Sequence, residues 1–259
     1  MDREFLKLRD DGRVRLITIS RPKALNALNT GVLSELIAEM QRAEADSNCN
    51  VVVLTGEGKA FVAGGDIAQM SRMNPSQALQ YAKQGQDLMA FMEKMNKVVI
   101  AAINGYALGG GSELALGCDM VIAAKSAKIG QPEVTLGIMP GFGGTQRLVR
   151  TVGRNAAKEW ILTGGMYSAQ DAMRIGFVNR VVDDDQVVDA AMKVAHKVAA
   201  NGPVAVAISK KAINEGMQMP LTQALDYEAS LFANLFDTSD QVEGTTAFLE
   251  KRPPKFKGK

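Results

Sequence analysis

Short, unbroken apolar runs alternate along this chain with stretches of helical periodicity. The runs at residues 51–54, 98–103 and 120–124 contain no polar position, as expected for parallel strands that are covered on both faces. Two further strands are predicted at 3–9 and 13–19, around a hairpin turn at Asp10, Asp11 and Gly12. Glycine-rich turns follow the buried strands and lead into helices, which indicates repeated βα crossover units.

The helical part of the pattern grows toward the end of the chain. Asn29 or Thr30 can cap a first helix with one apolar face, and a second helix is predicted over about 75–95, with Leu79 and Leu88 among its apolar positions. Shorter helices are predicted at 145–152, 155–162 and 169–175, and a last strand at 178–182. From residue 185 onward every segment is helical, at 185–200, 203–217, 221–236 and 239–251.

This change of pattern predicts two parts, a core with the functional site over residues 1–200 and a helical region over 201–259. Three phenylalanines of the second part, Phe232, Phe236 and Phe248, have two explanations that periodicity leaves open. They form a surface for oligomerisation, or they pack onto the chain's own core.

Composition narrows the possible partners. The 259 residues include 30 basic and 28 acidic side chains, a formal net charge of +2, so no field suited to nucleic acid is expected. Two cysteines, Cys49 and Cys118, suit reduced thiols better than a disulfide framework. No apolar run is long enough to span a membrane. We therefore expect a soluble cytoplasmic protein with neither nucleic acid nor membrane as partner.

The sequence lacks the motifs that several common classes of enzyme require. The dinucleotide fingerprint G-x-G-x-x-G fails at residues 109–114 and 141–146, and no phosphate-binding P-loop occurs. The single histidine, His196, lies on a charged helix face, where a solvated surface position is expected. No nucleophile elbow and no metal-ligand spacing is present. We expect no metal site, and any acid–base chemistry must use carboxylates, tyrosines or lysines.

Two glutamates stand out because of what precedes them. Glu113 follows three consecutive glycines at 109–111, and Glu133 follows Pro132. Each alone is explained as a first-turn glutamate that the helix dipole stabilises by about 0.3–1 kcal/mol. Glycine destabilises a helix, however, so three in a row need a reason such as close approach of a ligand to the backbone. Gly65, in a second glycine-rich loop, offers another free N–H at a helix start.

Three segments resemble the crotonase superfamily, and most closely its enoyl-CoA hydratases. They are residues 61–70 (FVAGGDIAQM), 104–119 (NGYALGGGSELALGCD) and 129–148 (IGQPEVTLGIMPGFGGTQRL). Residues 21–28 (RPKALNAL) resemble the family's first coenzyme A loop, and 248–259 (FLEKRPPKFKGK) its closing segment. The resemblance implies an α/β fold, a spiral of ββα units followed by a helical trimerisation region, assembled as a homotrimer or as a homohexamer made of two trimers.

The resemblance also implies a reaction and its residues. Gly65 and Gly110 match the two backbone donors of the family's oxyanion hole. Glu113 matches the glutamate that orients and activates water, and Glu133 the acid that protonates C2. Because both glutamates are present, hydration of a short-chain 2-trans-enoyl-CoA to the 3-hydroxyacyl-CoA is favoured over isomerisation. No cofactor is expected, since coenzyme A is part of the substrate.

Physical chemistry agrees with these roles. Addition of water to a 2-enoyl thioester develops negative charge on the thioester oxygen, and a fixed N–H donor stabilises such charge by roughly 3–4 kcal/mol. One carboxyl group must stay protonated near neutral pH, which burial or a like-charged neighbour provides. Two alternatives remain, an isomerase or a hydratase for another acyl group, and, least favoured, a non-catalytic acyl-CoA-binding or RNA-binding relative.

Coenzyme A contacts follow from the resemblance at several more positions. These are Lys23, Leu25, Lys59, Ala63, Asp66, Ile67 and Ala68. Ala68 stands where many relatives have lysine, which leaves the phosphate partners open, and ordinary surface exposure explains Lys23 and Lys59 equally well. The acyl pocket is expected to use Met70, Met73, Leu88, Met139 and Phe142.

Overall fold

The computed structural model describes residues 3–259, which form two sheets surrounded by helices. The larger sheet has six strands, and all its neighbours are parallel except the first pair. In spatial order these strands are β1 (Leu6–Asp11), β2 (Val14–Ile19), β3 (Val51–Gly56), β5 (Val98–Ile103), β7 (Met120–Ala124) and β10 (Arg180–Val182). Strands β3 and β5 are buried along their whole length, so they form the centre of the core.

A smaller sheet holds four strands of three residues each. Its order is β4 (Ala60–Val62), β6 (Tyr106–Leu108), β8 (Lys128–Gly130) and β9 (Met166–Ser168), and only β9 runs antiparallel to its neighbour. Successive strands alternate between the sheets: β3 is followed by β4, β5 by β6, and β7 by β8. Since helices follow β4 and β6, the chain is built from ββα units, and the expected crotonase-like spiral is confirmed.

Helices cover the sheets and then continue alone. They are α1 (Thr30–Ala45), α2 (Ile67–Met70), α3 (Pro75–Lys94), α4 (Gly110–Leu116), α5 (Gly144–Val152), α6 (Arg154–Thr163), α7 (Ala169–Arg174), α8 (Val187–Ala199), α9 (Pro203–Gly216), α10 (Leu221–Asn234) and α11 (Ser239–Leu249). Side chains of Asn29, Asp66 and Asn74 cap α1, α2 and α3, which explains where these helices begin. No helix within residues 3–259 is both long and apolar enough to cross a bilayer.

The structure corrects some predictions of local structure. Strand β1 starts three residues later than predicted and includes Asp10 and Asp11, so the turn lies at residues 12–13. Leu79 is 62% exposed rather than part of the apolar face of α3. The strands of the smaller sheet were not predicted at all, because three residues are too few to show a period. The partition at residue 200 stays a prediction.

An irregular loop at residues 21–28 is fixed by one buried side chain. Leu25 and Asn26 both have left-handed backbone angles, with φ of 49° and 59°, a conformation that asparagine tolerates better than most residues. The Asn26 side chain is fully buried; its Oδ1 accepts from the N–H of Arg21, and its Nδ2 donates to the carbonyls of Glu57 and Ala60. It therefore ties the loop to the strand that leads to the Gly65 region.

Replacing Asn26 by alanine should lower the free energy of unfolding by about 2–3 kcal/mol, because buried backbone groups lose their partners. Lys23→Ala, an exposed change in the same loop, should alter it by less than about 0.5 kcal/mol. Urea denaturation of both variants measures the difference. Equal effects would show that the Asn26 hydrogen bonds do not hold the loop.

Candidate active site

Three neighbouring parallel strands bring the candidate site together. Gly65 lies beyond the end of β4, Gly110 and Glu113 beyond β6, and Glu133 beyond β8. These strands are adjacent in the order β4–β6–β8 and run in the same direction. Their carboxyl ends therefore meet at one edge of the smaller sheet, the usual position of ligand sites in α/β sheets.

Backbone pairing with Leu28 fixes the N–H of Gly65. The Leu28 N–H donates to the Gly64 carbonyl at 2.9 Å, and its carbonyl accepts from the Asp66 N–H at 2.9 Å. Consecutive N–H groups of an extended chain point to opposite sides, so pairing at 64 and 66 directs the Gly65 N–H away from Leu28. The Tyr81 hydroxyl also donates to the Leu28 carbonyl, at 2.5 Å, and holds this pairing in place.

Glycines allow α4 to begin beside that amide. Gly109 has a φ of 50°, and its N–H donates to the Gly130 carbonyl. A side chain at Gly111 would lie 1.9 Å from the Val62 carbonyl oxygen, and one at Gly110 only 3.4 Å from the Gly65 nitrogen. The backbones of the two loops are thus in close contact. Neither the Gly65 nor the Gly110 N–H donates to an acceptor within the described residues, so both donors are available to a ligand.

Glu113 is held as a hydrogen-bond acceptor. Its side chain is 2% exposed, and its Oε1 accepts from the N–H groups of Phe142 at 2.8 Å and Gly144 at 2.7 Å. Gly144 is the first residue of α5, so this carboxylate also lies at the positive end of that helix. Both interactions favour the ionised form of Glu113.

Glu133 is held differently, by a side-chain amide and by its own backbone N–H. It lies in the 3-10 turn Pro132–Leu136 that follows β8. The orientation of the Gln131 amide that satisfies its neighbours places Nε2 3.0 and 3.2 Å from the two Glu133 carboxylate oxygens. Gln131 is itself fully buried, so it holds the Glu133 carboxylate from the protein interior.

Burial shifts the titration of both acids in the same direction. Burial raises the pKa of Glu113 to about 7. The N–H of Gly144 acts in the opposite direction and lowers this pKa, whereas the negative charge of Glu133 raises it further. Burial also raises the pKa of Glu133 to about 7. Because the Glu133 charge raises the pKa of Glu113, the two groups lose their protons in two coupled steps rather than independently. Both shifts favour retention of a proton at this site near neutral pH.

A cavity of about 770 Å³ connects all four predicted site residues, since Gly65, Gly110, Glu113 and Glu133 line it. Its inner end is formed by the buried rings of Tyr81 and Phe142, which meet edge to face with centroids 4.9 Å apart. Its outer rim carries exposed apolar side chains, those of Ile67, Leu136, Ile138 and Met139. The volume is that of a typical small-molecule site.

The residues predicted to bind coenzyme A lie in different parts of the structure. Ala63 and Ile67 line the cavity, whereas Asp66 and Ala68 line a neighbouring groove. Asp66 is paired with Arg21 at 2.6 Å, so its carboxylate is already neutralised. The other three positions, Lys23, Leu25 and Lys59, are exposed and line neither space.

Of the predicted acyl-pocket residues, four line the cavity: Met70, Met73, Met139 and Phe142. Leu88 does not; it lies on the buried face of α3 and is fully enclosed in the core, so the prediction for it was wrong. Two site residues were missed, Gln131 and Tyr81. The signal for Gln131 was an amide two residues before the acid. Tyr81 was the one aromatic residue in the polar first half of α3.

Two carboxyl groups lie beside two free backbone N–H donors, a combination suited to acid–base chemistry on a carbonyl compound. The fold that holds this site is a spiral of ββα units. A family model described as enoyl-CoA hydratase/isomerase matches residues 9–259. The chain belongs to this family.

Individual relatives cover nearly the whole chain. It is 48% identical to a short-chain-enoyl-CoA hydratase of Clostridium acetobutylicum, over 95% of this chain and 94% of that protein. It is 46% identical to a crotonyl-CoA hydratase of Syntrophomonas wolfei, over 98% of each. The crystal structure of an enoyl-CoA hydratase from Bacillus anthracis superposes with a TM-score of 0.96 at 41% identity, covering 99% of this chain and 100% of that one.

The raised pKa of Glu113 makes a prediction about stability. An unfolded glutamate releases its proton near 4.5 and the folded one near 7, so between these values the native state binds more protons. Stability of the wild type should therefore fall as pH rises from 5 to 8.

Glu113→Gln removes this titration but keeps an oxygen acceptor for both N–H groups. The variant should gain stability relative to wild type on going from pH 5 to pH 8, by about 2–3 kcal/mol. Urea unfolding at four pH values measures the change. An unchanged difference across this range would contradict a raised pKa at Glu113.

Proposed function

We propose that this protein catalyses the reversible hydration of short-chain 2-trans-enoyl-CoA, such as crotonyl-CoA, to the 3-hydroxyacyl-CoA. The single observation that carries the proposal is one cavity lined by two free glycine N–H groups, the buried Glu113 and the half-buried Glu133. The printed activities of the Clostridium and Syntrophomonas relatives support the same substrate class. No cofactor is needed beyond the coenzyme A of the substrate.

In this proposal the thioester oxygen accepts from the N–H groups of Gly65 and Gly110. Water adds to C3, and the electrons of the C2–C3 double bond move toward the thioester carbonyl, so that the oxygen becomes enolate-like. Donors that point at this oxygen stabilise the transition state more than the ground state, by roughly 3–4 kcal/mol each. Protonation at C2 then completes the 3-hydroxyacyl product.

The hydrogen bonds support a division of labour between the acids. Glu113 accepts from two backbone N–H groups, and the charge of Arg147 also lowers its pKa, whereas Glu133 has the Gln131 amide and its own backbone N–H. The proton that the pair shares near pH 7 is therefore favoured on Glu133. We assign Glu113 as the base that takes a proton from water, and Glu133 as the acid that delivers one to C2.

A second candidate is hydration of a different acyl group. The chain is also 42% identical, over 247 residues, to a 2,3-dehydroadipyl-CoA hydratase of Escherichia coli, so close similarity within the family is compatible with another acyl chain. Isomerisation of a 3-enoyl-CoA is less well supported, because it requires no addition of water and one acid suffices. A non-catalytic role leaves the two acids that line one cavity unexplained.

We further propose a cytoplasmic homo-oligomer, a trimer or a dimer of trimers. Phe232, Phe236 and Phe248 are 61%, 55% and 82% exposed, so they do not pack onto the chain's own core. Exposed apolar side chains on α9 and α10, Ile213, Leu221 and Leu225, extend the same helical region. Apolar surface of this kind is characteristic of subunit interfaces.

The catalytic assignment is tested with purified protein and crotonyl-CoA. Glu113→Gln and Glu133→Gln should each lower kcat by about 10²–10⁴-fold, the usual loss when a general acid or base is removed. Spectroscopic loss of the conjugated double bond measures the rate. Incorporation of ¹⁸O from labelled water separates hydration from isomerisation. Full activity in either variant would remove that residue from its role.

The assembly is tested by light scattering after size-exclusion chromatography. The expected mass is three or six times the 27.7 kDa of the chain. Phe232→Asp should shift it toward the monomer, because a charge at a buried interface is costly to desolvate. Lys193→Asp, on the polar face of α8, should leave the mass unchanged. A monomeric wild type would contradict the proposal.

A further inference from the structure

The neighbouring groove lined by Asp66 and Ala68 adjoins the candidate active site. It has a volume of about 830 Å³ and is more polar than the active-site cavity, because five side-chain amides and one guanidinium line it: Asn29, Gln69, Arg72, Gln77, Gln80 and Gln84. Two residues line this space and the active-site cavity alike, Met73 and Tyr81. Together they form a partition between an apolar chamber and a polar one.

The orientation of the substrate follows from the shape of the active-site cavity. Coenzyme A is too large to be enclosed, so it must leave through the rim, where Ile67, Leu136 and Ile138 are exposed. The thioester oxygen is placed at the Gly65 and Gly110 amides under the proposed function. The acyl chain then extends inward, past the two acids and toward the partition.

The Tyr81 and Phe142 rings at the inner end of the active-site cavity are fixed by their packing. The Phe142 ring lies 2.3 Å from where a Cβ on Gly85 would be, and 3.2 Å from where a Cβ on Gly110 would be. Tyr81 packs against Phe142 and donates to the Leu28 carbonyl. A side chain at Gly65 would lie 2.7 Å from the Tyr81 hydroxyl. Neither ring can move without disturbing the two oxyanion amides.

Met73 differs from both rings. It lies in the segment between α2 and α3 and is only partly buried. No described residue forms a hydrogen bond with its side chain, and an unbranched thioether adapts its shape easily. Of the two residues in the partition, Met73 can therefore change in size without affecting the catalytic groups.

We propose that the partition of Met73 and Tyr81 limits the acyl chain length, and that Met73 sets the value of the limit. This proposal rests on the proposed hydratase function. An acyl chain that ends before the partition lies wholly among apolar side chains. A longer one must displace Met73 and place methylene groups among amides, where burial gives no comparable gain.

The test compares kcat/KM for crotonyl-CoA with that for 2-octenoyl-CoA. Met73→Ala removes three heavy atoms from the partition and should raise the octenoyl-to-crotonyl ratio by about tenfold or more, since one methylene in an apolar pocket already changes specificity by about tenfold. Met73→Leu keeps most of the volume and should leave the ratio close to that of wild type.

Leu79→Ala is the control on the neighbouring helix α3. Leu79 is 62% exposed and lines neither space, so its replacement should leave both kcat/KM values and their ratio unchanged. A ratio that stays constant in Met73→Ala, with crotonyl-CoA still hydrated, would overturn the chain-length proposal alone. A wild type that hydrates neither substrate would instead overturn the proposed function.

Discussion

The pairing of Leu28 with the backbone on both sides of Gly65 is the constraint on which the site depends. An N–H group can stabilise developing charge only if it is left unpaired and aimed before the substrate arrives. Hydrogen bonds from residue 28 to residues 64 and 66 achieve this, because they satisfy the neighbouring groups and leave one donor free. The Tyr81 hydroxyl donates to the Leu28 carbonyl, and the buried Asn26 fixes the loop that leads to Leu28.

The second constraint is the cost of enclosing two acids in one cavity. Carboxyl groups in water ionise near pH 4, so at neutral pH both would be bases and neither could act as the acid. Enclosure raises the pKa of both groups, and the N–H groups of Phe142 and Gly144 act against that rise at Glu113. Burial of the large apolar core around β3 and β5, two strands that are completely buried, offsets the free-energy cost of enclosing these acids. Catalytic geometry and overall stability are thus opposed at this site.

Sequence patterns predict some features of this structure and not others. The buried strands and the glycine turn before Glu113 were predictable, because long apolar runs and adjacent glycines each have one dominant physical cause. The smaller sheet was not, since its three-residue strands carry no period. The interactions of Gln131 and Tyr81 were also hidden, because each depends on a distant partner that only the assembled sheet brings near. Leu79 shows the opposite error, an apolar residue placed inside that lies outside.

The tight packing of Phe142 between Gly85 and Gly110 has an evolutionary consequence. Mutations at the two rings at the inner end would change the chemistry together with the substrate, so selection acts against most of them. Met73 is free of this coupling. A lineage that retains the same acids and amides can therefore adapt to new metabolites through single substitutions at one position, without passing through inactive intermediates. Such separation of specificity from reactivity allows one scaffold to diversify within a family.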